Sequence, residues 1–242
     1  MIVTIDGPAG AGKSSIARRL AERLGFQFLD TGAMYRAVAL AALRRGLGDG
    51  DAEAIARLAS ELAIDLAHER TILDGEDISA AIRTSEVSAA VYLAADNLAV
   101  RRQLVVRQQQ LAGERNTVTE GRDQGTVAFP QAECKIFLTA SPIERANRRH
   151  AELVQRGEAI ALETVLAQQA ERDRRDAARP EGALAKAADA VEVWTDGLTQ
   201  DQVVDRLEEI VREQESEVRG QRSGVGEQGS AVREKEPNII QP

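Results

Sequence analysis

Cysteine and aromatic side chains are scarce in this 242-residue chain, which has one cysteine, Cys134, and 3% Phe, Trp and Tyr. A single cysteine excludes a disulfide within the chain and is typical of a reducing compartment. No stretch approaches the roughly 20 apolar residues of a membrane span. The N-terminus lacks the basic and apolar segments of a signal peptide. We therefore expect a cytoplasmic protein with no membrane partner.

Positive charge is also in deficit, with 31 Lys and Arg against 39 Asp and Glu and a formal net charge of −8. An acidic chain without a basic run is a poor candidate for binding nucleic acid through charge, so we expect no such partner. Arginine outnumbers lysine 27 to 4. Codon preference is the main explanation, but arginine also binds phosphate in a bidentate manner that lysine does not.

Hydrophobic patterning alternates between strands and helices along most of the chain, whose 43% hydrophobic content is that of a globular protein. Strands are predicted at 2–5, 26–29, 117–119, 135–139 and 190–195. Helices are predicted at 13–24, 33–45, 87–111, 162–178 and 199–214, with another after Ser141-Pro142. This alternation predicts an α/β fold with a parallel sheet and crossover helices.

Two segments interrupt this pattern. Residues 62–94 contain short β-like pieces, and Asp74-Gly75 is a hairpin-turn signal, so we predict a small β-rich insert there. From residue 213 onward the chain has no aromatic residue and few apolar ones, which predicts a disordered tail over 213–242. Residues 1–61 and 95–212 would then form the core.

The strongest functional signal is a glycine-rich segment between a predicted strand and a predicted helix. The segment fits the P-loop pattern G-x-x-x-x-G-K-[ST] and consists of Gly7, Pro8, Ala9, Gly10, Ala11, Gly12, Lys13 and Ser14. Its glycines let backbone N–H groups approach phosphate oxygens, and the helix N-terminus adds partial positive charge. Lys13 would reach the β- and γ-phosphates of a nucleoside triphosphate, and Ser14 would coordinate Mg²⁺.

Two further segments follow predicted strands, where the carboxyl edge of a parallel sheet forms a binding crevice. In residues 30–36, Tyr35 and Arg36 suit an acceptor that carries its own phosphate. In residues 120–126, Arg122 could bind a phosphate while Asp123 accepts hydrogen bonds from a base or sugar. Taken singly, an ordinary helix start and a salt-bridged turn are the alternatives.

Arginine is concentrated between residues 145 and 179. Arg145, Arg148 and Arg149 fall on one face of a predicted helix, and the next predicted helix carries four more arginines. Two such helices joined by a short linker fit a lid that adds positive charge over a polyphosphate and excludes water. A solvated helix pair with internal ion pairs is the alternative, and it would account for some of these arginines.

Taken together, these segments resemble the bacterial cytidylate kinases, P-loop nucleoside monophosphate kinases that phosphorylate CMP and dCMP. The resemblance spans roughly residues 1–212, in the order and spacing of the family. Its matching segments are 4–14, 30–36, 75–79, 82–84, 121–127, 129–130, 135–138, 171–179 and 187–190. It implies a three-layer P-loop fold with a central parallel sheet, a monophosphate-binding insert at about 62–94 and an arginine-rich helical lid at about 145–179.

The resemblance also implies roles for single residues. It implies ATP binding by residues 7–14, Ser15 and Arg148, with Mg²⁺ held by Ser14 and the ATP phosphates. The residues that it implies for CMP are Thr31, Tyr35, Arg36, Arg122 and Arg179 at the phosphate, Arg101 and Asp123 at the cytosine, and Asp176 at the sugar. Lys13, Arg122 and Arg172 would be catalytic.

Three positions depart from the family pattern. Tyr92 stands where the family usually has a serine near the base, and Trp194 stands where an aspartate commonly follows the last strand near the adenine. Glu120 replaces an aspartate, which is a milder change. The first departure bears on the shape of the base pocket and the second on the donor contact.

The chemistry of the residues agrees with this resemblance. A phosphate monoester has a second pKa of about 6, so the acceptor is mostly dianionic at pH 7 and needs no general base. His68 and His150 accordingly lie outside every motif. We predict phosphoryl transfer from ATP to CMP or dCMP, giving CDP or dCDP and ADP, with Mg²⁺ as cofactor and a monomeric protein.

Other functions predict different features. A GTPase needs Asn-Lys-x-Asp to bind guanine, and no lysine of this chain follows an asparagine. A nucleotide sensor without turnover would not need Lys13, Ser14 and Arg172 together. Within the kinases, specificity for UMP or AMP is the main competitor of specificity for CMP.

Overall fold

The computed structural model of the protein describes residues 1–67 and 70–226. Its strands are β1 Ile2–Asp6, β2 Gln27–Asp30, β3 Ile64–Ala67, β4 Arg70–Leu73, β5 Glu76–Asp77, β6 Thr117–Gly121, β7 Cys134–Thr139 and β8 Val191–Trp194. Its helices are α1 Lys13–Leu24, α2 Thr31–Arg44, α3 Ala52–Glu61, α4 Ser85–Ala90, α5 Tyr92–Ala95, α6 Leu98–Ala112, α7 Pro142–Gln155, α8 Leu162–Ala178 and α9 Gln200–Gly226. None of the helices in these ranges is both long and apolar enough to cross a bilayer.

A parallel sheet of five strands, in the order β2-β6-β1-β7-β8, forms the centre of the fold. Its strands are apolar because helices cover the sheet: Val3 and Ile5 of β1 are fully buried and share a core with α1 and α9. The predicted α/β class and all five predicted strands of this sheet are confirmed.

The parallel arrangement determines where the site forms. All five strands run in the same direction, so their carboxyl ends meet at one edge of the sheet. Asp6, Asp30 and Gly121 end three neighbouring strands there. Each is followed at once by one of the segments that the sequence analysis selected, so folding brings these segments together at one crevice.

The insert differs from the prediction in its second half. Strands β3, β4 and β5 form an antiparallel sheet, and Asp74 and Gly75 make the predicted hairpin turn with φ of 51° and 87°. After this sheet the chain is helical, with a 3₁₀ turn at Ala81–Arg83 followed by α4 and α5. Ile78 and Ile82 of the insert pack in one core with α2, α3 and α6.

The single helix predicted over 87–111 is wrong, because the chain forms α4, α5 and α6 in this region. Asn97 begins α6 as its N-cap, with its side chain accepting hydrogen bonds from Ala99 N and Val100 N. A capping asparagine adopts non-helical dihedrals, so it ends one helix as it begins another. The break lies between Tyr92 and Arg101, two residues of the predicted base pocket.

The predicted tail is wrong for residues 213–226, because α9 continues to Gly226. Two polar contacts lie in the first turns of this extension: Ser216 Oγ donates to the Arg212 carbonyl oxygen at 2.9 Å, and Gln214 Nε2 donates to Glu217 Oε2 at 3.3 Å. A helix of polar residues is stabilised in this way without apolar burial. The rest of the predicted tail, 227–242, lies outside the described residues, as does His68.

Candidate active site

The P-loop wraps tightly around the end of β1. Gly7 has a φ of +149°, and a Cβ there would overlap the carbonyl oxygen of Leu138 in β7, so only glycine fits. Lys13 begins α1, and its Nζ donates a 2.8 Å hydrogen bond across the loop to Pro8 O. Burial, together with the charges of Arg122 and Arg172, lowers the pKa of Lys13 to about 7. The ammonium group of Lys13 is therefore buried beside the loop, with Arg122 and Arg172 nearby.

Two arginines of α7 support the loop and its surroundings. Arg145 is buried, and its NH1 donates to Ala9 O at 3.0 Å and pairs with Asp173 of α8 at 2.8 Å. It therefore links the P-loop to the lid helices rather than presenting a free charge. Arg148 bonds to Glu144 and donates from both terminal nitrogens to Thr195 at 2.9 Å. Its contact with ATP stays a prediction.

Asp6 joins the P-loop strand to the segment after β6. Its carboxylate accepts hydrogen bonds from Gln124 N at 2.9 Å and Gly125 N at 2.8 Å. Burial raises the pKa of Asp6 to about 6, although these backbone donors oppose the shift. The residues from Gly121 to Gly125 are thus held directly beside the P-loop.

Oxygen atoms of a hydroxyl and two carboxylates lie close together at Ser14. Its Oγ donates to Glu120 Oε1 at 2.9 Å, and burial with the charge of Glu120 raises the pKa of Asp30 to about 6. Such groups are the hard oxygen donors that Mg²⁺ prefers. The sequence analysis named only Ser14 for the metal, and that role stays a prediction. Glu120, at the end of the strand beside the P-loop strand, is a further candidate that the structure adds.

Asp176 of α8 joins two arginines on the other side of the crevice. Arg122 Nε donates to its Oδ2 at 2.9 Å, and Arg179 donates to its Oδ1. Arg179 also reaches Asp96 at 2.7 Å. Burial would raise the pKa of Asp176, but the charges of Arg122, Arg179 and Arg172 outweigh it and lower that pKa. Three of the six residues predicted at the CMP phosphate and sugar therefore form one network.

The two residues predicted at the cytosine form a buried ion pair. Arg101 of α6 donates to Asp123 Oδ2, and the two residues are 4% and 3% exposed. Arg101 also donates to Ala95 O at 3.2 Å, and its guanidinium lies 5.5 Å from the ring centre of Tyr35. Burial raises the pKa of Tyr35 to about 12, so its hydroxyl stays protonated at neutral pH.

Positive charge is concentrated at the middle of the crevice, in a cation cluster formed by Lys13, Arg36, Arg122 and Arg172. Burial, together with Arg122 and Arg36, lowers the pKa of Arg172 to about 10. Within the described part of the chain, Arg172 has neither a hydrogen-bond nor an ion-pair partner. Arg36 donates to Ile82 O at 3.0 Å, an uncharged acceptor. Arg122 is paired with Asp176, but Arg36 and Arg172 have no carboxylate partner among the described residues, and such cations attract anions.

Thr31 lies at the same edge of the sheet, where its Oγ1 donates to the backbone oxygen of Glu120 at 2.6 Å. These contacts connect most of the residues predicted for CMP around the crevice, and that set is Thr31, Tyr35, Arg36, Arg101, Arg122, Asp123, Asp176 and Arg179. The P-loop, with Lys13, Ser14 and Ser15, borders the same crevice, and Lys13, Arg36 and Arg122 belong to the cation cluster. The roles of these residues toward ATP and CMP stay predictions.

Other arginines of the predicted lid form ion pairs within their own helix, which is the alternative interpretation of a solvated helix pair. Arg174 pairs with Glu171 within α8. Arg175 also pairs with Glu171, at 3.4 Å, and its guanidinium lies 4.9 Å from the ring centre of Tyr92. Tyr92 therefore contacts the lid helix. Trp194 is 57% exposed and lines a groove of about 420 Å³ between β8 and α9.

The sequence of the chain is similar to sequences of known proteins. A sequence model described as cytidylate kinase matches residues 3–213. The cytidylate kinase of Rhodopirellula baltica is 49% identical over 213 residues, 88% of this chain and 93% of that protein. The cytidylate kinase of Geobacter sulfurreducens is 43% identical over 219 residues, 89% of this chain and 94% of that protein. A solved shikimate kinase from Bacteroides thetaiotaomicron is 12% identical, with a TM-score of 0.45 over 88% of this chain and 98% of that one.

Proposed function

The chain belongs to the cytidylate kinase family, and we propose that it transfers the γ-phosphoryl group of ATP to CMP or dCMP, forming ADP and CDP or dCDP. The observation that carries this proposal is the cation cluster of Lys13, Arg36, Arg122 and Arg172. It lies between a P-loop and a pocket whose buried Arg101–Asp123 pair offers donors and acceptors to a base. Two bound phosphates would meet at this cluster.

The residues act by position and charge. The P-loop N–H groups and Lys13 bind the donor phosphates, and Arg36, Arg122 and Arg179 bind the acceptor phosphate. The nucleophile is an oxygen of the acceptor phosphate, which attacks the γ-phosphorus while the bond to the β-γ bridging oxygen breaks and ADP leaves. Arg172 neutralises charge on the transferring group, and the lid helices exclude water.

Mg²⁺ fits this site, because Ser14 Oγ and the carboxylates of Glu120 and Asp30 are suitable oxygen ligands. The ion, when bound with ATP, neutralises charge on the β- and γ-phosphates. Ser14 and Glu120 orient each other through their 2.9 Å hydrogen bond. A cytoplasmic location and a monomeric state are also part of the proposal, as is the absence of a nucleic-acid or membrane partner, and these rest on the sequence.

The test is ADP formation by the purified protein with Mg·ATP and each of CMP, dCMP, UMP, AMP and GMP. We expect rapid turnover with CMP and dCMP only. A preference for UMP or AMP would contradict the assignment of the base pocket and leave the kinase mechanism standing. Binding of ATP without turnover on any acceptor would contradict the proposal and favour a sensor.

A further inference from the structure

The segment that leaves the lid passes directly over the Arg101–Asp123 pair. Gly182 lies at its centre with a φ of +72°, and a Cβ on Gly182 would overlap the Arg101 guanidinium and lie 2.5 Å from Asp123 Oδ2. No side chain therefore separates the backbone at residue 182 from the pair. The position excludes a side chain for two independent reasons, the left-handed backbone and the space occupied by Arg101.

The segment has a contact on each side of Gly182. Arg102 of α6 forms an exposed ion pair with Glu181 at 3.0 Å, and Leu184 N donates to Asp176 O of α8 at 2.8 Å. These two contacts tie the backbone around Gly182 to α6 and α8.

Arg101 has little freedom to move in response. An arginine side chain is flexible in solution, but this one is 4% exposed and donates to both Asp123 and Ala95 O. A side chain at residue 182 could be accommodated only if the guanidinium left at least one of these partners. Since a buried carboxylate that loses its cation is costly, the geometry of Asp123 would change as well.

We propose that Gly182 is a specificity-determining residue of the acceptor site: it forms the outer wall of the base subsite and holds the Arg101–Asp123 pair in the arrangement that recognises a pyrimidine. This inference rests on the proposed function, because it concerns the base of the same acceptor nucleotide. Gly182 is a positioning residue, since it acts through Arg101 and Asp123 rather than by contact with the reacting atoms.

The experiment compares Gly182→Ala with Gly46→Ala. Gly46 has a similar φ of +67° and nothing within 4 Å of its Cβ, so Gly46→Ala introduces the backbone strain without the overlap. For Gly182→Ala we expect the KM for CMP to rise at least about tenfold and the preference for CMP over UMP in kcat/KM to fall similarly. The KM for ATP should stay within about twofold. Gly46→Ala should change none of these values by more than about twofold.

A double-mutant cycle with Arg101→Ala tests the route of the effect. Removing the guanidinium removes the closest overlap and leaves Asp123 Oδ2, 2.5 Å from the added Cβ, free to turn away, so adding Gly182→Ala to Arg101→Ala should cost much less than Gly182→Ala costs alone. Additive losses, equal effects of the two glycine variants, or parallel losses toward ATP and CMP would each overturn the inference. Thermal unfolding of every variant shows whether it is folded. If Gly182→Ala alone does not fold, the double variant is compared with Arg101→Ala, and a failure of the double variant to fold would overturn the inference.

The wild-type measurement separates this inference from the proposed function. If the wild-type protein neither binds nor phosphorylates CMP, the proposed function fails, whatever Gly182→Ala does. If the wild-type protein phosphorylates CMP and the cycle is additive, the proposed role of Gly182 is wrong and the proposed function still stands.

Discussion

The Nε of Arg122 donates a 2.9 Å hydrogen bond to Oδ2 of Asp176, which joins the end of a core strand to the second lid helix. The same carboxylate holds Arg179 through its other oxygen. One aspartate therefore aligns two guanidinium groups on the acceptor side of the crevice. Arg179 also pairs with Asp96, so two carboxylates hold the two guanidinium groups in place.

Asp176→Ala should impair the acceptor side far more than the donor side. It removes the common partner of Arg122 and Arg179 and the predicted contact with the sugar, so we expect the KM for CMP to rise at least about tenfold. Asp173→Ala, one turn earlier on α8, is the contrasting control. Asp173 pairs with Arg145, which bonds to the P-loop, so this variant should affect the KM for ATP more. Steady-state kinetics with each nucleotide varied is the measurement, and equal losses for both nucleotides in Asp176→Ala would reject its role.

Lys13→Ala should abolish turnover and leave the protein folded. The ammonium spans the P-loop and would contact the donor phosphates, so we expect kcat to fall at least about 100-fold. Lys186→Ala is the control, because Lys186 forms an exposed ion pair with Glu192. Turnover is measured as ADP formation, and circular dichroism monitors the fold. Activity near that of the control would contradict the P-loop assignment.

The affinity for ATP should depend on pH through Lys13. The pKa of this lysine is lowered to about 7, so the free protein loses this proton as the pH rises above 7. Bound phosphates favour the charged form, and binding therefore takes up a proton. The Kd for ATP should rise by up to about tenfold per pH unit between pH 7.5 and 9. Calorimetry in buffers of different ionisation heat measures both effects. A flat Kd, or an equal slope in Lys13→Arg, would contradict this.

Arg172→Ala should lower kcat with little effect on substrate affinity. The side chain has no ion-pair partner in the described ranges, and it belongs to the cation cluster, so it would act mainly on the transferring phosphoryl group. We expect a loss in kcat of about 100-fold or more. Arg174→Ala, two residues along the same helix, removes only an exposed pair with Glu171. Single-turnover kinetics are the measurement, and similar rates for the two variants would argue against the role of Arg172.

Glu120→Gln should raise the Mg²⁺ concentration required for activity. The change preserves the shape of the side chain but removes a charge beside Ser14, and we expect the half-activating Mg²⁺ concentration to rise about tenfold. Glu76→Gln, at an exposed ion pair with Arg44, is the control. Activity is titrated with Mg²⁺ at constant ATP. An unchanged titration would show that Glu120 does not act at the metal.

Local patterns in the sequence predicted the parallel sheet, the P-loop and the segments at the crevice. Each of these signals is short: a glycine spacing, an apolar strand, a helix period. The same kind of reasoning failed at 87–111 and 213–226. At the first, a cap at Asn97 divides an apparently continuous helix. At the second, α9 continues through residues that composition alone assigned to a tail.

By itself, then, the sequence determined the P-loop fold, the family and the residue types at the crevice, because these depend on local patterns. Only the tertiary structure determined which contacts each arginine makes. Arg145 is buried beneath the P-loop, Arg174 lies at the surface, and Arg172 is left without an ion pair in the region described. The tertiary structure also places the backbone of Gly182 against the guanidinium of Arg101, which lies 81 positions earlier in the sequence (182 − 101). Such contacts depend on how distant segments pack, and a linear pattern contains no distance between them.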